Sequence, residues 1–214
     1  MNKVVFLYSG EGTKSSASSI ELIKTSPCWT AIDEIISSKL SLSLDHLWRT
    51  EQNSHKCPNS PLLTVAAEIC LTDIWTRWGY APDIGIGHSV GELTAAFCAG
   101  LYSLEEILLL SYEIGKIAQN LEGTMFHGSL TEEQITELEV SLSSRNFTLE
   151  SKTHVTVSCT SDQIAAFSRQ HPDFIQMKPP HPWHHRNYQD FAGGLPAFPS
   201  RAGSEVLFVS GVTS

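Results

Sequence analysis

Basic residues are scarce in this chain of 214 residues: 14 Lys and Arg stand against 23 Asp and Glu, a formal net charge of −9. A nucleic-acid surface needs dense Lys and Arg against the phosphates, so no nucleic-acid partner is expected. Long aliphatic runs are also missing, and no stretch approaches the ~20 apolar residues that cross a bilayer, which predicts no membrane partner. The first apolar run, residues 4–8, is too short for the core of a signal peptide, and no small-residue cleavage pattern follows it. Cysteine is sparse and odd in number, with Cys28, Cys57, Cys70, Cys98 and Cys159 far apart and none at metal-ligand or redox spacing. Buried free thiols and a cytoplasmic location follow. What remains is 41% apolar and 17% charged, the composition of a globular chain. Its length suits one medium domain, or a larger domain with a small insert.

The chain is organised around residues 83–92, where an apolar run ends in Gly87, Ser89 and Gly91 at G-x-S-x-G spacing. The spacing predicts a strand that turns sharply into a helix with Ser89 at the bend. A serine held there projects its hydroxyl beyond the sheet, and the next backbone N–H can stabilise an oxyanion.

Around this bend the pattern is α/β. Residues 4–8 read as a strand covered on both faces, emptying into a glycine loop at Ser9, Gly10, Glu11, Gly12 and Thr13. Ser26-Pro27 predicts a helix start with a buried face at Trp29, Ile32, Ile35 and Ile36, and Leu44, Leu47 and Trp48 suggest a short helix. Ser60-Pro61 predicts the start of a long buried helix that stops at Gly79. Ser103 and Glu106 read as a capping box for a helix to about Asn120. Beyond Gly123 the order strand 125–128, helix 131–141, strand 147–149, strand from Val155 to Cys159, helix 161–170 and strand 174–177 is β-α-β-β-α-β. The expected organisation is therefore a parallel α/β-hydrolase-like core at 1–122, a ferredoxin-like insert at 123–178 and an incomplete return to the core at 179–214. Residues 205–209 read as a last strand with no covering helix after them. The histidines His181, His184 and His185 have no Cys or acidic partner at fixed spacing, so no metal site is expected.

These residues carry a family resemblance. Gly87, His88, Ser89, Gly91 and Glu92 match the G-H-S-x-G-E of malonyl-CoA:acyl-carrier-protein transacylases and polyketide synthase acyltransferase domains. Residues 95–106 look like the family's continuation after that motif, the glycine loop resembles its F-x-G-Q-G-x-Q opening, and His181, Pro182, Trp183 and His184 resemble its H-A-F-H segment. The resemblance implies an enzyme of polyketide or fatty acid biosynthesis. Ser89 would take an acyl group from acyl-CoA, and the phosphopantetheine thiol of an acyl carrier protein would remove it. Acyl-CoA and phosphopantetheine thioesters are then substrates, no cofactor is bound, and a polyketide synthase ketosynthase is a possible partner. His184 would be the general base. The backbone N–H groups of Glu11 and Val90 would hold the oxyanion. Gly10, Ser60, His88, Ile114 and Trp183 fall at substrate-binding positions, with His88 and Glu92 given positioning or packing roles.

Three departures bear on specificity. Glu11 stands where the family has glutamine, and its carboxylate would repel an oxyanion unless turned away or protonated. Ser60 replaces another glutamine. Ile114 falls at the family's carboxylate-binding arginine, so malonyl-type groups would lose their bidentate partner. Acyl groups without a free carboxylate are therefore expected. Two alternatives remain open: an editing hydrolase that clears acyl groups from carrier proteins, and a degenerate acyltransferase fragment that only docks partners.

Overall fold

The computed structural model describes residues 3–12, 17–49, 56–141, 147–149, 152–177, 181–199 and 201–210. Thr13, Pro179, Pro180 and the last four residues, all part of the sequence reading, lie outside them. In chain order the elements are β1 (Val5–Tyr8), α1 (Ala17–Ile23), α2 (Pro27–Leu40), α3 (Leu44–Arg49), α4 (Asn59–Arg77), β2 (Ile84–Gly87), α5 (Gly91–Cys98) and α6 (Leu104–Ala118). They continue with β3 (Gly123–Ser129), α7 (Glu132–Ser141), β4 (Phe147–Leu149), β5 (His154–Thr160), α8 (Ile164–Gln170) and β6 (Ile175–Gln176). Two 3₁₀ turns (Arg186–Asp190 and Ala192–Gly194) and β7 (Leu207–Val209) complete the described chain. Two compact units result, one of Met1–Gly115 with Pro196–Ser214 and one of Lys116–Leu195.

The first unit is built on a parallel sheet ordered β1-β2-β7, with Tyr8 opposite Gly87 and Ile86 opposite Val209. Parallel neighbours need long crossovers, and α1 to α4 form the one between β1 and β2. Apolar spacing explains the packing. Ile32 and Ile36 of α2, Leu44 and Leu47 of α3, and Leu62, Val65, Ala66 and Ile69 of α4 are all buried. Ser26 caps α2 by accepting from the Cys28 N–H at 3.1 Å. Ser103 and Glu106 form the expected box on α6, with the Ser103 N–H donating to Glu106 Oε2 at 2.7 Å and the Glu106 N–H to Ser103 Oγ at 3.3 Å.

Three details differ from the sequence reading. β1 is not covered on both faces: it lies at one edge of its sheet, and Leu7 is 76% exposed. Helix α4 begins at Asn59, so Ser60 sits inside its first turn, buried, and is not the cap. The N–H groups of Asn59 and Ser60 instead donate to the Lys56 carbonyl, each at 3.1 Å, which carries the turn one residue earlier. Helix α1 has no counterpart in the reading, because its short Ser-containing segment holds only Ile20, Leu22 and Ile23 as large apolar residues.

The second unit carries an antiparallel sheet ordered β4-β5-β3-β6. Both α7 and α8 pack on one face of it, through Ile135 and Phe167 against Phe126, Val155 and Val157. This β-α-β-β-α-β arrangement is the ferredoxin-like insert. As a compact body it is wider than residues 123–178. Tyr188 donates its hydroxyl to the Ala118 carbonyl at 3.1 Å, and the Ser158 hydroxyl bonds the Trp183 carbonyl, so the end of α6 and residues 181–195 belong with this sheet.

Candidate active site

Ser89 occupies the turn between β2 and α5 with φ of +54°, in the left-handed region that costs a side-chain-bearing residue strain. Its neighbours show why this turn demands glycine. A Cβ on Gly87 would fall 2.2 Å from the Glu92 backbone nitrogen, and one on Gly91 would fall 2.5 Å from the Tyr8 carbonyl oxygen and 2.6 Å from that of Ser9. The end of β1 therefore lies directly over the start of α5. Below the bend the small-residue face of α5 has its reason, since Ala95 packs against the α-carbon side of Gly85. Val90 is the last residue before α5, whose first turn is set by N–H bonds from Gly91 to His88 and from Glu92 to Ser89, both at 3.0 Å.

The glycine loop meets this bend. A Cβ on Gly10 would come within 3.0 Å of His88 Nδ1 and 3.2 Å of Ser89 Cβ, so only glycine lets the backbone approach so closely. The His88 N–H donates to the Tyr8 carbonyl at 2.9 Å, and Glu92 accepts from the Ser210 hydroxyl at 3.3 Å. Gly10, His88 and Ser89 are thus brought together within one unit. Glu11 follows Gly10 and lies close enough to Cys57 for its charge to raise that thiol's pKa, after burial as the larger cause. Cys57 leads into the start of α4, where Ser60 is buried. Helix α6 abuts the same place: a Cβ on Gly115 would strike the Pro58 carbonyl oxygen at 2.2 Å. Half-buried Ile114 stands next to it.

His184 belongs to the second unit. It too is left-handed, with φ of +63°, and its side chain is exposed. Neighbouring residues are anchored around it. Trp183 stacks at a tilt on Tyr188, ring centroids 5.9 Å apart, and its carbonyl is held by Ser158. His185 is buried and caps the first 3₁₀ turn, its Nδ1 accepting from the Asn187 N–H at 3.3 Å. Burial lowers the pKa of both His181 and His185, which keeps them neutral at pH 7.

One group was missed in the sequence. Glu68, at the middle of α4, accepts from Ser9 Oγ at 3.2 Å and from Thr94 Oγ1 at 2.6 Å beneath the bend. Beside it the Tyr8 hydroxyl donates to Cys98 Sγ at 3.2 Å, and the Thr72 hydroxyl donates to the Glu68 carbonyl at 2.8 Å. Burial pushes the Glu68 carboxyl up to about 7, partly offset by the bonds from Thr94 and Ser9. The available signal was an acid at helical spacing among Val65, Ile69 and Thr72, on a face otherwise facing the core.

Known proteins resemble this chain in sequence and in fold. The profile of the family described as "Acyl transferase domain" matches residues 5–173. The spectinabilin polyketide synthase system protein NorB of Streptomyces orinoci is 31% identical over 150 residues, covering 64% of this chain and 7% of that protein. Among solved structures, the acyltransferase domain from the second module of the salinomycin polyketide synthase superposes with a TM-score of 0.79 at 20% identity, over 100% of this chain and 54% of that one. A malonyl-transacylase solved in complex with a type II polyketide synthase acyl-carrier protein gives a TM-score of 0.74 at 18% identity, over 91% of this chain and 71% of that one. At these identities the superpositions establish the α/β-hydrolase-like fold with its insert. The chain spans a small fraction of the length of the curated relatives that it matches. Residues 5–173 make the membership plain: this chain belongs to the acyl transferase domain family.

Proposed function

We propose that this domain moves an acyl group from acyl-CoA to the phosphopantetheine thiol of an acyl carrier protein, through an acyl-ester on Ser89. The observation that carries the reading is the left-handed Ser89 on a turn that admits only glycine at positions 87 and 91, with Gly10 pressed against it. In the first step Ser89 Oγ attacks the thioester carbonyl and loses its proton to His184. The C–S bond breaks, and coenzyme A leaves as the thiol with that proton. In the second step the carrier thiol gives its proton to His184 and attacks the acyl-serine, and Ser89 recovers its hydroxyl. The N–H groups of Val90 and Glu11 hold the oxyanion in both steps. Trp183 and its anchored neighbours keep His184 in its segment.

Ile114 sets the acyl preference. Burying a malonyl carboxylate against it would cost on the order of several kcal/mol without a cationic partner. The favoured substrates are acyl groups with no free carboxylate, within a cytoplasmic polyketide or fatty acid pathway where a ketosynthase uses the loaded carrier. Intact-mass measurement after incubation with acetyl-, longer acyl- and malonyl-CoA tests this. The expected result is a stable adduct with the uncharged acyl groups that is absent from Ser89→Ala. Efficient malonyl loading would overturn the preference, and turnover with no adduct would mark a hydrolase.

A further inference from the structure

Glu68 is 9% exposed on α4, and the acyl-transfer chemistry above makes no use of it. Both of its oxygens are engaged. Oε1 accepts from the Ser9 hydroxyl and Oε2 from the Thr94 hydroxyl, and the Ser9 backbone N–H bonds the carboxyl as well. The two partners sit on the two sides of the site. Ser9 leads straight into Gly10, which lies against Ser89. Thr94, fully buried, is on the first turn of α5, the helix that Ser89 precedes by two residues.

A buried carboxyl is unfavourable unless its bonds are made, and a leucine would fill this volume beside Val65 and Ile69 without that cost. Nothing in the packing of α4 calls for an acid. What the carboxyl does provide is a bridge between Ser9 and Thr94, beside the Tyr8–Cys98 bond that links β1 to the same helix. The titratable groups facing it, Tyr8 on β1 and Cys98 on α5, are both held neutral by burial, so they do not compete for its charge.

We propose that Glu68 is a positioning residue for acyl transfer: it ties the start of the glycine loop to the helix behind the nucleophile and so fixes the loop N–H groups relative to Ser89 Oγ. The proposal rests on the acyl-transfer reading above. A displacement of about 1 Å in such a constellation lowers rates on the order of 100-fold, so a side chain outside the chemistry can govern it.

Three variants test this: Glu68→Leu, which removes the bridge; Glu68→Gln, which keeps its shape with one accepting oxygen and an NH2 that a rotated hydroxyl can accept from; and Ser9→Ala, which deletes one hydroxyl near the surface and preserves the core. Amide hydrogen exchange at residues 9–11 and steady-state kcat and KM with the acyl-CoA that loads Ser89 are the two readouts. In Glu68→Leu the loop amides should exchange about tenfold faster, with kcat down roughly 100-fold and KM within about threefold. Glu68→Gln should restore kcat to within about fivefold of the parent, and Ser9→Ala should fall between the two. Unchanged exchange and kcat in Ser9→Ala and in a folded Glu68→Leu would overturn the proposal, as would a Glu68→Gln as impaired as Glu68→Leu. A parent protein that forms no adduct with any thioester would overturn the acyl-transfer reading, while the exchange measurement would still decide whether Glu68 holds the loop.

Discussion

A serine with positive φ is retained only where surrounding structure over-determines it, and here the constraints can be named residue by residue. Gly87 and Gly91 leave no room for a Cβ, and the Tyr8 and Ser9 carbonyls lie directly over Gly91. Strain of roughly 1–3 kcal/mol is thereby held at Ser89. Glu68 is the second constrained residue, and its ionisation gives a test of burial. Its carboxyl titrates near 4.5 in an unfolded chain and at about 7 in the fold. Between those values the folded protein holds a proton that the unfolded chain has released. The stability linked to this group is therefore fully present below pH 4.5 and is lost as pH rises through 7. The span is worth about 3 kcal/mol at most. Urea unfolding at pH 5 and pH 8 should show a larger loss of stability across that interval in the parent than in Glu68→Gln, which has no proton to release. Equal losses would place Glu68 in contact with water.

Among the elements, those with local stop and start chemistry were legible. Ser26-Pro27 opens α2 and Ser103 with Glu106 opens α6, each through side-chain bonds spanning only two or three residues. Illegible were α1, which lacks periodic apolar residues, and the true start of α4, where the Lys56 carbonyl takes the role expected of Ser60. The capping box of α6 also acquires a distant partner. Arg201 holds the Glu106 carboxyl in a two-point grip at 2.9 and 3.0 Å, which keeps that acid down to about 2. The pairing therefore persists as pH falls below the usual carboxylate range and is lost only as pH falls through about 2. Replacing Ser103 by alanine should remove the cap and lower stability by about 1 kcal/mol, read as a shift in the urea midpoint with unchanged slope.

At the scale of the whole molecule, the parallel sheet of the first unit presents apolar side chains at both of its edges. Leu7 on β1 is 76% exposed and Leu207 on β7 is 58% exposed. Edges that carry exposed leucines, as these do among the described residues, invite association. Sedimentation velocity at rising concentration should show self-association of the parent chain. A Leu7→Lys, Leu207→Lys double variant, with a charge at each edge, should remain monomeric over the same range. Equal behaviour of the two would show that these edges do not associate.

Sequence alone determined what depends on short spacing: the glycine-flanked serine, the caps, the period-two strands and period-3.6 helices, and hence an α/β core with a β-α-β-β-α-β insert. Tertiary structure decided what depends on residues far apart in the chain. It placed Glu68 between Ser9 and Thr94, brought Glu11 near Cys57, set Gly115 against Pro58 and left β1 at an edge. Local rules act through the backbone over a few residues and can be read in one dimension. Whether a buried acid has partners, or an apolar strand has a neighbour, depends on which segments the fold brings together. The G-x-S-x-G spacing therefore located Ser89, while the carboxyl that steadies its surroundings became visible only once helix, loop and elbow were assembled.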